Sequence, residues 1–191
     1  LLEVLQGIRG RIREKALLFT LRTVYEGGQF AVMKDTYYEL NDQAARSGYV
    51  DLVDVEAFRE EARTSEEIRK LQSAGVHVIA SFHNFDRTPD REELIRRLTR
   101  MQEMGADVAK IAVMPQSRED VMTLMEATME ADHSLDIPVV TMSMGHLGVL
   151  SRLAGALTGS AMTFASVGEA SAPGQIPIEQ MRVFCQLLSM K

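Results

Sequence analysis

Six short apolar runs, most of them continuous rather than alternating, constrain this chain more than any other feature. They are Leu17–Leu21 (LLFTL), Val50–Val55 (VDLVDV), Val76–Phe82 (VHVIASF), Val108–Met114 (VAKIAVM), Pro138–Met144 (PVVTMSM) and Ala161–Val167 (AMTFASV). A strand with one wet face alternates apolar and polar side chains. A strand buried on both faces reads as an unbroken apolar run. The runs therefore predict a parallel sheet covered by helices on both sides.

Helical patterns lie between the runs. Thr64 and Glu67 have capping-box spacing before the helix that carries Ile68 and Leu71. Thr88–Pro89 offers an N-cap and a first-turn proline. Leu94, Ile95, Leu98, Met101 and Met104 then share one helical face. Ser117 and Asp120 precede Val121, Leu124 and Met125 in the same way. Leu1, Leu5, Ile8 and Ile12 stripe an opening helix, and Ile178, Met181, Cys185 and Leu188 a closing one. Strand and helix alternate, so the fold class is α/β with a parallel sheet. The connections are too short for a domain boundary, which makes residues 1–191 a single domain. A doubly wound open sheet and a (β/α) barrel both fit this order. The absence of a Gly-x-Gly-x-x-Gly turn or a phosphate loop weakens the nucleotide-binding form of the first and favours the barrel.

Composition excludes several classes of function. The net charge is −6 with acidic residues scattered along the chain, which leaves no nucleic-acid footprint. No apolar run reaches the roughly 20 residues of a membrane-spanning helix. The single cysteine, Cys185, permits no internal disulfide and suits a reducing, cytoplasmic setting. No histidine pair has metal-ligand spacing and one cysteine cannot build a zinc site, so no metal is expected.

Sites in such folds gather at the C-terminal ends of the strands. That edge carries Arg22, Glu26, Glu56, His83, Lys110, Ser143 and His146. Lys110 is flanked by Val108, Ala109, Ile111, Ala112 and Val113. One reading is a stem that snorkels to the strand end, or an ion pair with Asp107 or a helix carboxylate. The other is an amine that burial keeps from holding its proton, free to attack a carbonyl and form a Schiff base. Arginine could not serve there, because it stays protonated. His83 is either a structural histidine or a proton carrier facing Lys110. Arg22 and Arg152 are either surface ion pairs or bidentate clamps for a carboxylate. Ser171-Ala-Pro-Gly-Gln175 is a rigid turn whose side chains could present hydrogen bonds.

Taken in order, these residues resemble a known family. Leu17-Leu-Phe-Thr-Leu-Arg-Thr, followed by Glu26-Gly-Gly, resembles the LLFTFR…EGGE signature of type I 3-dehydroquinate dehydratases. Val78-Ile-Ala-Ser-Phe-His-Asn-Phe resembles their histidine-bearing strand, and Gly105-Ala-Asp-Val-Ala-Lys-Ile-Ala-Val-Met-Pro their Schiff-base lysine motif. Thr141-Met-Ser-Met-Gly, Ser151-Arg-Leu-Ala-Gly and Ala170-Ser-Ala-Pro-Gly-Gln175 complete the series.

The resemblance implies a lyase of the (β/α)8 TIM-barrel family that removes water from the small-molecule substrate 3-dehydroquinate, without metal or cofactor. Lys110 would form the imine and His83 would move the proton. Glu26 would orient His83. Arg152, with Ser171 and Gln175, would bind the substrate carboxylate, and Arg22 would reach the ring hydroxyls. Gln29, Ala57 and His146 depart from the family pattern. The family's N-terminal hairpin, first strand and LEWR-type second strand have no counterpart, and Leu1–Lys15 matches the helix that follows them. An incomplete barrel of about six parallel strands is therefore expected, N-terminally truncated relative to the family. Apolar edges at Leu17–Leu21 and Ala161–Val167 would favour a homodimer or other self-association. Two alternatives stand beside an active dehydratase. One is a weakly active remnant of the same family. The other is a different Schiff-base lyase such as a class I aldolase, which leaves the Ser171–Gln175 turn unexplained.

Overall fold

The computed structural model describes residues 1–188. In chain order the helices are α1 (Leu2–Ile12), α2 (Lys34–Arg46), α3 (Glu61–Ser73), α4 (Arg91–Glu103), α5 (Arg118–Ser134), α6 (Val149–Leu153), α7 (Gly155–Thr158) and α8 (Ile178–Leu188). The strands are β1 (Leu18–Thr20), β2 (Leu52–Glu56), β3 (His77–Asn84), β4 (Val108–Val113) and β5 (Val139–Ser143), ordered β1-β2-β3-β4-β5 in one sheet. Backbone contacts group the residues into two compact units. The first holds Leu1–Phe82 with Met101–Val108, and the second His83–Arg100 with the chain from Ala109 on.

In the first unit β1 pairs with β2 in parallel, from Leu18 opposite Leu52 to Thr20 opposite Asp54. β2 continues onto β3, from Leu52 opposite His77 to Glu56 opposite Ser81. Val53, Val55 and Val78 are buried on the face covered by helices α2 and α3, which contribute Tyr37, Tyr38, Ile68 and Leu71. Asp107 ties the N-terminal end of β3 down. Its Oδ2 accepts from Val78 N at 2.7 Å and from Gln72 Nε2 at 3.0 Å. His77 Nδ1 lies 3.4 Å from its Oδ1.

In the second unit β4 and β5 pair from Ala109 opposite Val139 to Val113 opposite Ser143. Every residue of both strands is buried, as their continuous apolar runs require. Helix α5 covers β5, where the Thr128 and Thr141 hydroxyls share a hydrogen bond of 2.5 Å. Its start carries the expected capping box: Asp120 N donates to Ser117 Oγ at 3.2 Å, and the Asp120 carboxylate accepts from Ser117 N.

Three expectations are corrected. Ala161–Val167 forms no strand. Its start touches β5 through a single bridge between Ser160 and Val139, and Ser166 bridges instead to Pro177. Ser160 Oγ accepts from Thr141 N, so a side chain takes the place of the next ladder bond. Thr64 does not open α3. It lies buried inside that helix and returns its hydroxyl to Glu60 O. Helix α4 starts after Asp90, whose carboxylate accepts from Glu93 N at 2.8 Å, rather than at Thr88–Pro89. At α4 the Asp90 carboxylate satisfies one of the N–H groups left open at a helix start, whereas the N-cap residue of α3, Glu60, makes no side-chain capping bond. Leu94, Leu98, Met101 and Met104 are buried as the stripe on α4 predicts, whereas only Met181 of the α8 stripe is buried.

Asp107 links this anchoring to pH. Burial opposes its charge, but the hydrogen bonds from Gln72, Val78 and His77 outweigh burial and hold its carboxyl below its ordinary value. A depressed folded-state value stabilises the fold above the unfolded value near 4 and loses that contribution as pH falls through the folded one. Asp107→Asn is expected to flatten the acid side of the stability curve below about pH 4. Urea titrations from pH 3 to 7 on both proteins check this, and parallel curves would show that Asp107 carries no linkage.

Candidate active site

At the C-terminal edge of the first unit, one guanidinium gathers three carboxylates. Arg22 follows β1. Its Nη2 donates to Asp54 Oδ1 at 2.6 Å, and its Nη1 to Glu26 Oε2 and Ser81 Oγ, each at 3.1 Å. Glu56 Oε1 stands 3.4 Å from the same Nη1. Glu56 is fixed further by Thr23, whose backbone N and hydroxyl each donate to it at 2.7 Å. Ser81 Oγ donates to Asp54 Oδ1 at 2.7 Å. Burial disfavours the Arg22 cation, yet Asp54, Glu26 and Glu56 together raise its pKa above the ordinary value. The Glu-Gly-Gly motif has a steric basis here. A Cβ on Gly28 would stand 1.9 Å from the Arg22 carbonyl oxygen, so the turn that delivers Glu26 closes only over glycine.

The second unit holds the buried amine. Lys110 lies on β4 opposite Val140, with 6% of its surface exposed. Its Nζ sits 4.6 Å from the ring centroid of Phe164. Met142 lies two residues beyond Val140, on the same face of β5 and about 7 Å nearer the C-terminal edge. The Met142 sulfur contacts Arg152 Nη1 at 3.5 Å, which places that guanidinium on the face of Lys110. Met114 N donates to Asn84 O at 2.9 Å, which sets Asn84 level with Val113 and His83 level with Ala112, two residues along from Lys110. His83, next to last in β3, is half-buried.

Arg152 on α6 is 2% exposed. Nη2 donates to Pro173 O at 3.1 Å, and Nε has no hydrogen-bond partner. Among the described residues no carboxylate pairs with it, and burial lowers its pKa. A buried cation with an unused donor and no counter-charge is built for an anion. The Ser171–Gln175 turn closes on itself: Ser171 N and Oγ meet Gln175 Oε1 at 2.9 and 3.2 Å. It docks through Pro173 O, which accepts from Gly145 N at 3.2 Å. Gly174 makes that docking possible, since a Cβ there would fall 2.4 Å from Gly145 O.

The sequence reading named Arg22 and Glu26 in the first unit and His83, Lys110, Arg152, Ser171 and Gln175 in the second. The structure joins Arg22 to Glu26 in the first unit and Arg152 to the Ser171–Gln175 turn, through Pro173 O, in the second. The reading missed Asp54, Ser81, Thr23 and Phe164. Asp54 had a signal: an aspartate inside an otherwise apolar run (Val53, Val55) needs a cationic partner. Among the described residues, no group of three or more His, Cys, Asp or Glu side chains could hold a metal ion. No described helix is long and apolar enough to cross a membrane.

A parallel sheet with a buried lysine on one strand, and a buried arginine on the same face that no carboxylate among the described residues pairs with, defines an α/β protein with a candidate site on that face. The comparisons with known proteins sharpen that class. The type I 3-dehydroquinase family profile matches residues 1–191. The 3-dehydroquinate dehydratase of Listeria welshimeri is 50% identical over 184 residues, covering 96% of this chain and 73% of its own. That of Klebsiella pneumoniae is 49% identical over 186 residues, covering 97% and 74%. The crystal structure of type I 3-dehydroquinate dehydratase from Clostridium difficile, bearing covalently modified comenic acid, superposes with a TM-score of 0.93. Identity is 45%, with 97% of this chain and 74% of that one covered. The Geobacillus kaustophilus 3-dehydroquinate dehydratase superposes at 0.95, with 43% identity and 98% and 73% covered. The chain belongs to the type I 3-dehydroquinase family, whose fold is that of the TIM barrel.

The Arg22 cluster has a stability consequence. Arg22→Ala leaves Asp54, Glu26 and Glu56 facing one another with their common cation gone. The expected cost is about 3–5 kcal/mol. Adding Asp54→Asn to that variant should restore part of it. Urea denaturation measures both, and a loss under about 1 kcal/mol would show that the cluster is well solvated.

Proposed function

We propose that this chain eliminates water from 3-dehydroquinate to give 3-dehydroshikimate through a Schiff base on Lys110. The observation that carries the reading is the pairing of a buried amine with a buried, uncompensated guanidinium on one face of the sheet. The first suits a ketone and the second a carboxylate, and 3-dehydroquinate carries both.

The neutral Lys110 amine adds to the C3 ketone, and the carbonyl oxygen departs as water with one proton from the amine and one from protonated His83, leaving a protonated imine. That cation draws electrons from the adjacent carbon and acidifies the C2 proton. His83 takes this proton, and the C2–H electron pair moves toward nitrogen to form an enamine. The pair then returns to form the C1–C2 double bond as the C1 hydroxyl leaves with a proton, which His83 can return. Water adds to the protonated conjugated imine and releases the ketone product and the free amine, and the remaining proton passes back to His83. Glu26 is proposed to orient His83. Arg152, with Ser171 and Gln175, is proposed to hold the carboxylate, and Arg22 with its carboxylates to face the ring hydroxyls.

Borohydride reduces a protonated imine to a stable secondary amine, so trapping with 3-dehydroquinate followed by peptide mass analysis tests the reading. An adduct on Lys110 is expected, absent in Lys110→Ala together with all turnover. Arg152→Ala should raise KM for 3-dehydroquinate about 10–100-fold, the scale of a lost charge-assisted hydrogen bond. A folded chain that gives no adduct would instead be a non-catalytic member of the family.

Residues 1–191 are further read as one domain of a cytoplasmic protein that associates with itself. The exposure of Val183, Phe184 and Leu187 on α8 supports that association. Sedimentation velocity should find a dimer or larger species, and a monodisperse monomer would remove the association.

A further inference from the structure

Phe164 played no part in the sequence reading, except as a member of the run expected to form a sixth strand. The structure gives it a different position. Ala161 N donates to Val139 O at 2.8 Å, after which the chain leaves the ladder, and it is held again where Ser166 N donates to Ile176 O at 2.9 Å. Val139 adjoins Val140, the residue opposite Lys110. The segment is therefore pinned beside Lys110 and carries the half-buried Phe164 ring to 4.6 Å from Nζ.

We propose that Phe164 is a positioning residue for the reaction at Lys110, its ring face holding Nζ and stabilising the positive charge this nitrogen carries as a protonated imine. The inference rests on the Schiff-base reading above and adds to it a residue and an interaction. The face of an aromatic ring is the negative end of its quadrupole and attracts a cation within about 6 Å of the centroid. The attraction strengthens when water is excluded, and Lys110 is only 6% exposed.

The chemistry explains why a ring suits this place. The nitrogen is neutral when it attacks and positive once water has left as the imine forms. It becomes neutral again when the C2 proton passes to the base and the electron pair moves toward nitrogen. It turns positive once more as the C1 hydroxyl departs with a proton. A carboxylate at the position of Phe164 would bind the ammonium so strongly that the nucleophile would be lost. A ring face attracts the cation several-fold more weakly and has no proton to exchange, so it favours the charged intermediates while tolerating the neutral ones.

Fluorination withdraws electrons from the ring face with little change of shape, which separates this role from simple packing. The full chain carrying 4-fluoro-, 3,5-difluoro- or 3,4,5-trifluorophenylalanine at position 164 is to be compared with the parent by borohydride trapping with 3-dehydroquinate and by kcat. Both rates should fall stepwise with each fluorine, by about 2–30-fold across the series, the range expected for a cation–π contact of this burial. Phe164→Leu, verified as folded by circular dichroism, should fall at least as far, and Phe164→Tyr should stay near the parent. Rates that are flat across the fluorine series would reduce Phe164 to an apolar wall and overturn the proposal. No adduct on Lys110 in the parent chain would overturn the Schiff-base reading and this inference with it.

Discussion

A lysine on a strand with no exposed residue is the constraint on which the rest of this site depends. All six positions of β4 are buried, and Lys110 is the third of them. An ammonium withdrawn from water costs several kcal/mol unless something replaces its hydration. The strand cannot relieve this by turning, because its alternate side chains are committed to the packed layers on either side. One of the groups beside Nζ is the Phe164 ring, whose centroid lies 4.6 Å away.

The two units handle charge in opposite ways. In the first, three carboxylates crowd one guanidinium, which leaves an excess of acceptors at the ends of β1, β2 and β3. In the second, Arg152 is buried with a spare donor and no carboxylate among the described residues. Acceptor-rich clusters bind hydroxyl groups, and buried cations bind anions.

Much of this was legible in the chain itself. The continuous apolar runs located the five strands, since burial on both faces leaves no room for alternation. The α5 capping box and the α4 stripe were equally plain, because both depend on spacing within a single helix. The sixth strand was misread for a non-local reason. Ala161–Val167 has strand composition, but whether it enters a ladder depends on what its neighbour offers, and Thr141 N is met by the Ser160 side chain instead. The starts of α3 and α4 were misplaced for a related reason: several residues near each start could cap, and spacing alone does not choose between them.

The sequence by itself determined the α/β class, the strand that carries Lys110 and the set of side chains at the strand ends, because these follow from periodicity and from the cost of burying polar groups. Only the tertiary structure decided which of them meet. That Arg22 serves three carboxylates, that no carboxylate among the described residues pairs with Arg152 and that Phe164 faces Lys110 are facts about residues up to 54 positions apart. Such contacts are set by strand register and loop path. No local pattern encodes them, because the same apolar residue that fills a core in one register covers a reactive amine in another.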